Sequence, residues 1–281
     1  MKIIANYHTH MYLCRHAEGH VEDYVKRASD LGYEEIGISD HIALPDEWKK
    51  RLHARRMTMD EFYNVYLKEI NDCKVKYPHL NILTSLEAEY LPFTIDYLHE
   101  LKNYVDYFVL GQHSYMKGNY CASVYADGSY NYPTCIISKD DLALYAKTVC
   151  EALDTGLFKV LAHPEIIMIG YPRWDKEVEK KLLKIIEKAI KNDVFLEFNV
   201  NGLRRGKMST NGFNYAFGDL HMYPRMEFWH LVCDEYKYDK ILINDDCHAI
   251  KDLCDDYTKE AYNIFINNNW SFYRRLPNLK K

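Results

Sequence analysis

The chain has 281 residues, 36 basic and 41 acidic side chains for a formal charge of −5, and is 48% hydrophobic and 27% charged. It can fill one large core, since closed α/β architectures run to roughly 250 residues as one domain, and its ordinary apolar content excludes whole-chain disorder and coiled coil. No apolar run nears the ~20 residues of a membrane span, the MKIIANYHTH start reads as lacking a signal segment, and the acidic balance argues against a broad nucleic-acid surface.

In chain order, a short apolar run at residues 2–7 is followed by an amphipathic stretch at 20–31 that ends at Gly32. A second apolar run at 35–39 leads to a helical stretch at 58–76 that stops before Pro78, and a third at 82–86 to a short helical stretch at 95–103. The run at 107–110 precedes a helical stretch at 138–155, with Ser138 and Asp141 spaced as a capping pair and Gly156 as its stop. Runs at 159–162, 194–198 and 240–243 alternate with helical stretches at 175–191, 226–235 and 256–268. Near-continuous apolarity suits strands buried on both faces, and the alternation predicts a parallel α/β sheet, open or closed into a barrel. One domain over 1–281 is the simplest organisation. The long segments 42–57, 114–137 and 202–224 follow strands and read as functional loops.

The histidines are placed non-randomly. His8 and His10 close the first strand, Asp40 and His41 the second, and Glu87 the third; His113 follows the fourth, His163 and Glu165 the fifth, and Asp246 and His248 the seventh. The C-terminal edge of a parallel sheet is where active sites sit, and imidazoles and carboxylates converging there bind borderline divalent metals such as Zn, Mn or Fe. His53, His79, His99 and His221 lack such placement and read as surface residues, while His20 and His230 stay open. The eight cysteines contain no C-x-x-C pair, so reduced thiols and a cytoplasmic protein are expected. The 25 tyrosines read as packing.

These residues resemble the PHP (polymerase and histidinol phosphatase) family of metal-dependent phosphoesterases. The match runs through His8-Thr9-His10, Cys14-Arg15-His16, Ser39-Asp40-His41, the first Glu of L-E-A-E-Y, Gly111-Gln112-His113, Ala162-His163-Pro164-Glu165 and Asp246-Cys247-His248. The segments around Cys14, Ser39, Glu87 and Gln112, with Glu197-Phe198-Asn199 leading into Gly202-Leu203-Arg204, are most similar to stand-alone histidinol-phosphatases. The resemblance implies a distorted seven-stranded (β/α)7 TIM-like barrel with a trinuclear site. It implies that His8, His10, Glu87 and Asp246 hold one ion, Glu87 bridges to a second held also by His113 and His163, and His16, His41 and His248 hold a third. The resemblance, not spacing, selects His16 over His20. Cys247 departs from the small residue the family shows between Asp and His.

The implied activity is metal-dependent hydrolysis of L-histidinol phosphate to L-histidinol and phosphate, a step of histidine biosynthesis, by a metal-activated hydroxide. The alternative is a PHP phosphoesterase acting on another phosphomonoester or on nucleotide or oligonucleotide ends; a non-catalytic module would be expected to have lost ligands. A small-molecule phosphomonoester is thus the expected partner, with neither nucleic acid nor membrane. Arg204 is the leading phosphate donor by position and resemblance, with Arg173, Arg205 and Arg15 behind it, because a guanidinium fork matches phosphate geometry. Asp40 and Glu165 are expected to orient ligand imidazoles, and Asn199 to bond substrate or shape the site. For the imidazole and amine of such a substrate, Glu18, Tyr90 and Tyr115 are candidate partners.

Overall fold

The structure, a computed structural model, describes residues 2–51, 56–124, 138–171, 173–208, 223–277 and 279. Its strands are β1 (Ala5–Asn6), β2 (Glu35–Ile38), β3 (Asn81–Ala88), β4 (Tyr107–Leu110), β5 (Ser114–Lys117), β6 (Tyr120–Ser123), β7 (Phe158–Leu161), β8 (Phe195–Asn199) and β9 (Ile241–Asn244). All but β5 and β6 form one parallel sheet in the order β1-β2-β3-β4-β7-β8-β9. Its two ends meet: Thr9 bridges Cys247 in parallel, Tyr7 N donates to Asn244 Oδ1 at 3.0 Å, and Asp245 N donates to Asn6 Oδ1 at 2.7 Å. The sheet is therefore nearly closed, as expected for a distorted (β/α)7 barrel.

The helices are α1 (Val21–Asp30), α2 (Asp46–Arg51), α3 (Met59–Glu61), α4 (Leu67–Lys76), α5 (Ile95–Leu101), α6 (Lys139–Asp154), α7 (Lys176–Lys191), α8 (Val200–Met208), α9 (Met226–His230) and α10 (Asp256–Asn267). Local chemistry sets several starts. Ser138 and Asp141 form the reciprocal cap expected for α6, and Asp175 Oδ1 accepts from the backbone of Glu177 and Val178 to begin α7. The stretches expected as single helices at 58–76 and 226–235 each contain a π-helical insert, Phe62–Tyr66 and Leu231–Glu235. None of the helices among the described residues is long and apolar enough to cross a membrane.

Two regions expected as loops are ordered differently. Segment 114–137 opens with the β5–β6 hairpin, whose two-residue loop has Gly118 at φ +64°, a conformation that favours glycine. Segment 202–224 opens inside α8, which leaves β8 without an intervening loop. Residues 125–137 and 209–222, with His53 and His221, lie outside the described residues.

Side chains alternate along each strand with period two. Tyr7, Leu83, Tyr107, Val109, Val160, Phe195 and Leu242 form a small buried apolar cluster, to which Leu276 from the C-terminal stretch belongs. The larger cluster lies between sheet and helices and includes Ile36, Ile38, Leu110, Leu161, Phe198 and Ile243. Following the first cluster toward the strand C-termini, the same face changes from apolar to ionisable: Leu83 to Glu87 on β3, and Phe195 to Glu197 on β8. The polar site thus caps a packed interior.

Candidate metal centre

All nine histidine and carboxylate positions singled out as ligands lie at this end of the sheet. Glu87 stands at its centre. Its Oε2 is 3.4 Å from His10 Nε2 and 3.6 Å from His8 Nε2, while its Oε1 is 3.3 Å from His163 Nε2 and 3.8 Å from His113 Nε2. One carboxylate therefore faces two groups of donors. Gly111 makes this possible: a Cβ there would lie 1.7 Å from Glu87 Oε1.

The first group is compact. His10 Nε2 is 3.1 Å from both His8 Nε2 and Asp246 Oδ1, and His8 Nε2 is 3.6 Å from that same oxygen. Four ligands about 2.0–2.2 Å from one zinc ion at tetrahedral angles would lie about 3.3–3.6 Å apart, so these separations fit. Asp246 Oδ1 and Glu87 Oε2 are buried yet accept no well-formed hydrogen bond among the described residues. In the second group, the ligand atoms of Glu87, His113 and His163 lie within 4.8 Å of one another. In the third, His41 and His248 come together with His10 within the same limit; the His16 ring is centred 5.1 Å from that of His41 and 5.0 Å from that of His248.

The imidazoles are aimed from behind. Nδ1 of His8 lies 2.8 Å from Glu197 Oε2, Nδ1 of His10 3.3 Å from Asp40 Oδ1, Nδ1 of His16 2.8 Å from Cys14 O, and Nδ1 of His248 3.1 Å from Asp246 O. Each contact places a proton on Nδ1 and leaves the Nε2 lone pair facing inward. Charge states differ around the site: burial would push the His8 and His10 imidazoles down, but Glu197 behind His8 and Asp246 beside His10 outweigh it and hold both well above the usual range. Burial would push the Glu87 and Asp246 carboxyls up, but the surrounding imidazoles outweigh it and hold both well below the usual range. Burial, reinforced by Arg56 for His41 and by His10 for His248, drives both imidazoles well below theirs. Ionised carboxylates and neutral imidazoles are the forms that bind divalent metals.

Of the residues expected to act around the ligands, Asp40 backs His10 and also accepts from the His41 backbone N. Asn199 donates to Glu197 Oε1 and Asp246 Oδ2, and accepts from Gly202 N at the start of α8. Glu165 plays a different part from the one expected. Its Oε1 accepts from Arg225 N and the Trp229 indole, so it ties α9 to the strand end, and burial pushes its carboxyl up to about 7.

The arginines are redistributed. Arg204, expected at the phosphate, is buried; it donates to Asp255, to the carbonyls of Asp245 and Asp252, and at 3.3 Å to Asp245 Oδ1. Arg173 is exposed. Neither lines the cavity of about 40 Å³ over the histidines, which Arg205, Asn201 and Tyr223 do line. The cause is helical phase: successive residues on a helix point about 100° apart, so only one of Arg204 and Arg205 can face the cavity. Arg15 pairs with Glu61.

Glu197 and Asn201, which donates to Asp246 Oδ2, were not anticipated. A glutamate inside the otherwise apolar β8 was the available signal, because glutamates are almost never fully buried without a partner. Cys247 serves through its backbone, accepting from His10 N, and burial pushes its thiol well up. Of the remaining histidines, His20 caps α1 and contacts Glu69, His230 pairs with Asp234, and His79 and His99 are exposed.

Residues 6–201 match the PHP domain, and the chain belongs to the PHP family. Among its relatives is a Schizosaccharomyces pombe protein named "probable histidinol-phosphatase", 28% identical over 120 residues, a stretch that covers 40% of this chain and 39% of that protein. The fold is similar to that of a candidate histidinol phosphatase from Listeria monocytogenes, with a TM-score of 0.69, 22% identity, and 91% of this chain and 99% of the other covered. It is also similar to histidinol phosphate phosphatase from Lactococcus lactis subsp. lactis in complex with zinc, L-histidinol and phosphate, with a TM-score of 0.66, 16% identity, and 96% and 95% covered.

Proposed function

We propose that the protein is a metal-dependent phosphomonoesterase that hydrolyses L-histidinol phosphate to L-histidinol and phosphate. The observation that carries the reaction class is Glu87, whose two oxygens face two sets of imidazoles across one solvent-reaching cavity. Structural zinc sites built from four thiolates are closed, whereas these donors line an opening, as catalytic sites do. In this reading His8, His10, Glu87 and Asp246 hold one ion, Glu87, His113 and His163 a second, and His16, His41 and His248 a third, each zinc, manganese or iron. Bound divalent ions polarise phosphoryl oxygens and acidify water.

The protein's own groups do the rest. Asp40 and Glu197 fix the tautomers of His10 and His8. Asn199 and Asn201 occupy the second oxygen of Asp246 and leave its Oδ1 facing the histidines. Arg205, on the cavity wall, supplies a guanidinium for the phosphate. The choice of histidinol phosphate rests on the histidinol-phosphatase-like motifs and on the name of the partly aligned relative.

The test is phosphate release from L-histidinol phosphate by protein loaded with Mn or Zn. A kcat/KM no higher than for a generic aryl phosphate would remove the substrate assignment and leave the reaction class. Salt-dependent binding and cleavage of an oligonucleotide would favour the nucleic-acid alternative.

A further inference from the structure

His16 stands apart from the other eight residues read as ligands. The donor atoms of those eight fall into sets whose members lie within 4.8 Å of one another, and His16 belongs to none of these sets. It is exposed, whereas the others are buried or partly buried. It is also carried on the tip of a loop rather than at a strand end. Tyr12 N donates to Gly19 O at 3.1 Å and closes the neck of this loop, and Glu18 N donates to His248 O at 2.9 Å. Inside it, one turn of 3-10 helix, Tyr12–Cys14, ends at Arg15 with φ +71°. That left-handed conformation is uncommon for an arginine and persists only where the surroundings hold it.

What holds Arg15 is α3. Its Nη2 donates to Glu61 Oε1 at 2.7 Å and to Oε2 at 2.5 Å. Glu61 is fixed in turn, because its Oε2 accepts from Thr58 N at 2.7 Å in the cap that opens α3. At the exit of the loop, Glu69 of α4 places Oε1 2.9 Å from His20 Nδ1 and accepts from Val21 N through Oε2. Two carboxylates from the 58–76 stretch thus grip the loop, one at its exit and one at its tip, directly beside His16.

We propose that Arg15 and Glu61 are positioning residues whose ion pair latches this loop, keeping His16 beside His41 and His248, and that the ion His16 helps to hold is the first of the three to be lost. The three rings are already neighbours, with His16 centred 5.1 Å from His41 and 5.0 Å from His248. With the latch open, the loop tip is released and that ion keeps only the ligands fixed by strand ends. The latch works by charge in partial contact with water: the Arg15 and Glu61 side chains are 36% and 27% exposed. Salt screens such a pair, so the hold on this one ion weakens as ionic strength rises.

This inference rests on the three-ion phosphomonoesterase reading and is tested so that the two can fail separately. The full chain is loaded with zinc, and metal per protein is followed over a graded series of buffered zinc concentrations. The wild type is expected to bind three ions and to lose one before the other two. Glu61→Gln removes the charge at α3. Arg15→Asn keeps a residue that tolerates the left-handed conformation but is too short to reach Glu61. Each is expected to raise the zinc concentration that half-fills the weakest site by about threefold to fivefold, with the other two sites unmoved. The double variant is expected to match the single ones, because both remove the same pair, and the difference from the wild type should vanish between about 0.1 M and about 1 M salt. An Arg15→Asn protein that keeps its ions like the wild type overturns the latch, since the backbone alone then places His16. A shift of all three sites together, additive effects in the double variant, or a difference that survives about 1 M salt also overturns it. A wild type that takes up only two ions in excess zinc overturns His16 as a ligand, and the latch with it. Latch behaviour as expected, but no phosphate release from any ester by the wild type, overturns the phosphomonoesterase reading and leaves the latch.

Discussion

Replacing Gly111 with alanine would set one methyl group against the carboxylate at the centre of the site. An added Cβ would lie 1.7 Å from Glu87 Oε1, 2.4 Å from its Cδ and 2.6 Å from its Cγ. Non-bonded carbon atoms settle at about 3.5–4.0 Å, so the carboxylate would have to retreat by roughly 1.5 Å. Its oxygens now face donors at 3.3–3.6 Å on both sides, and no such retreat keeps both sets in reach. A misplacement of about 1 Å costs on the order of 100-fold in rate, and metal affinity is expected to fall by at least the roughly 10–100-fold typical of losing a supporting residue. The fold should survive, because the atoms met belong to a side chain that can swing away. The assay has three parts: metal per protein after dialysis against a limiting chelator, phosphate release, and the melting temperature of the chelated protein. Full metal content with more than half of wild-type turnover would refute the account of Glu87 as the shared ligand. A large drop in the chelated protein's melting temperature would show that Gly111 serves packing instead.

Three further outcomes follow from the same geometry. Glu197→Gln removes the charge behind His8 Nδ1 and should weaken metal binding about 10–100-fold in a chelator competition, with secondary structure unchanged by circular dichroism. Arg204→Ala leaves Asp245, only 1% exposed, without its guanidinium; it should destabilise the protein by about 3 kcal/mol in urea unfolding, whereas Arg205→Ala should raise KM with little change in stability. A chelator should lower both activity and melting temperature, since ligand present at about 100 times its dissociation constant stabilises by about 2.7 kcal/mol, and added Mn or Zn should restore both.

The barrel was legible because parallel strands buried on both faces are short apolar runs, and each such run in this chain corresponds to a strand within a few residues. The ligand positions were legible for a related reason. A side chain just past a strand's C-terminus must lie at the rim, so His8, His41, Glu87 and His163 could be placed together without knowing how the strands tilt. What joins them across the barrel was harder to read. Glu197 sits 189 positions from the His8 it supports, and its burial in Phe195–Asn199 could be read as an anomaly, while its partner could not.

The arginines show where a pattern stops carrying information. Arg204 and Arg205 are neighbours of one type, and a loop would let either reach the phosphate. Only once β8 passes directly into α8 does position along a helix separate them, sending Arg204 toward Asp245 and Asp255 and Arg205 onto the cavity wall. Gly202 lets Tyr223 pack against this helix, since a Cβ there would lie 2.4 Å from the carbonyl oxygen of Tyr223 and 2.5 Å from its ring. The contact joins two segments 21 positions apart in the chain. Which arginine faces the cavity is therefore a tertiary property: it is decided by the phase in which α8 leaves β8 and by the partners Asp245 and Asp255 that take Arg204, and no local reading of the Arg204-Arg205 pair contains it.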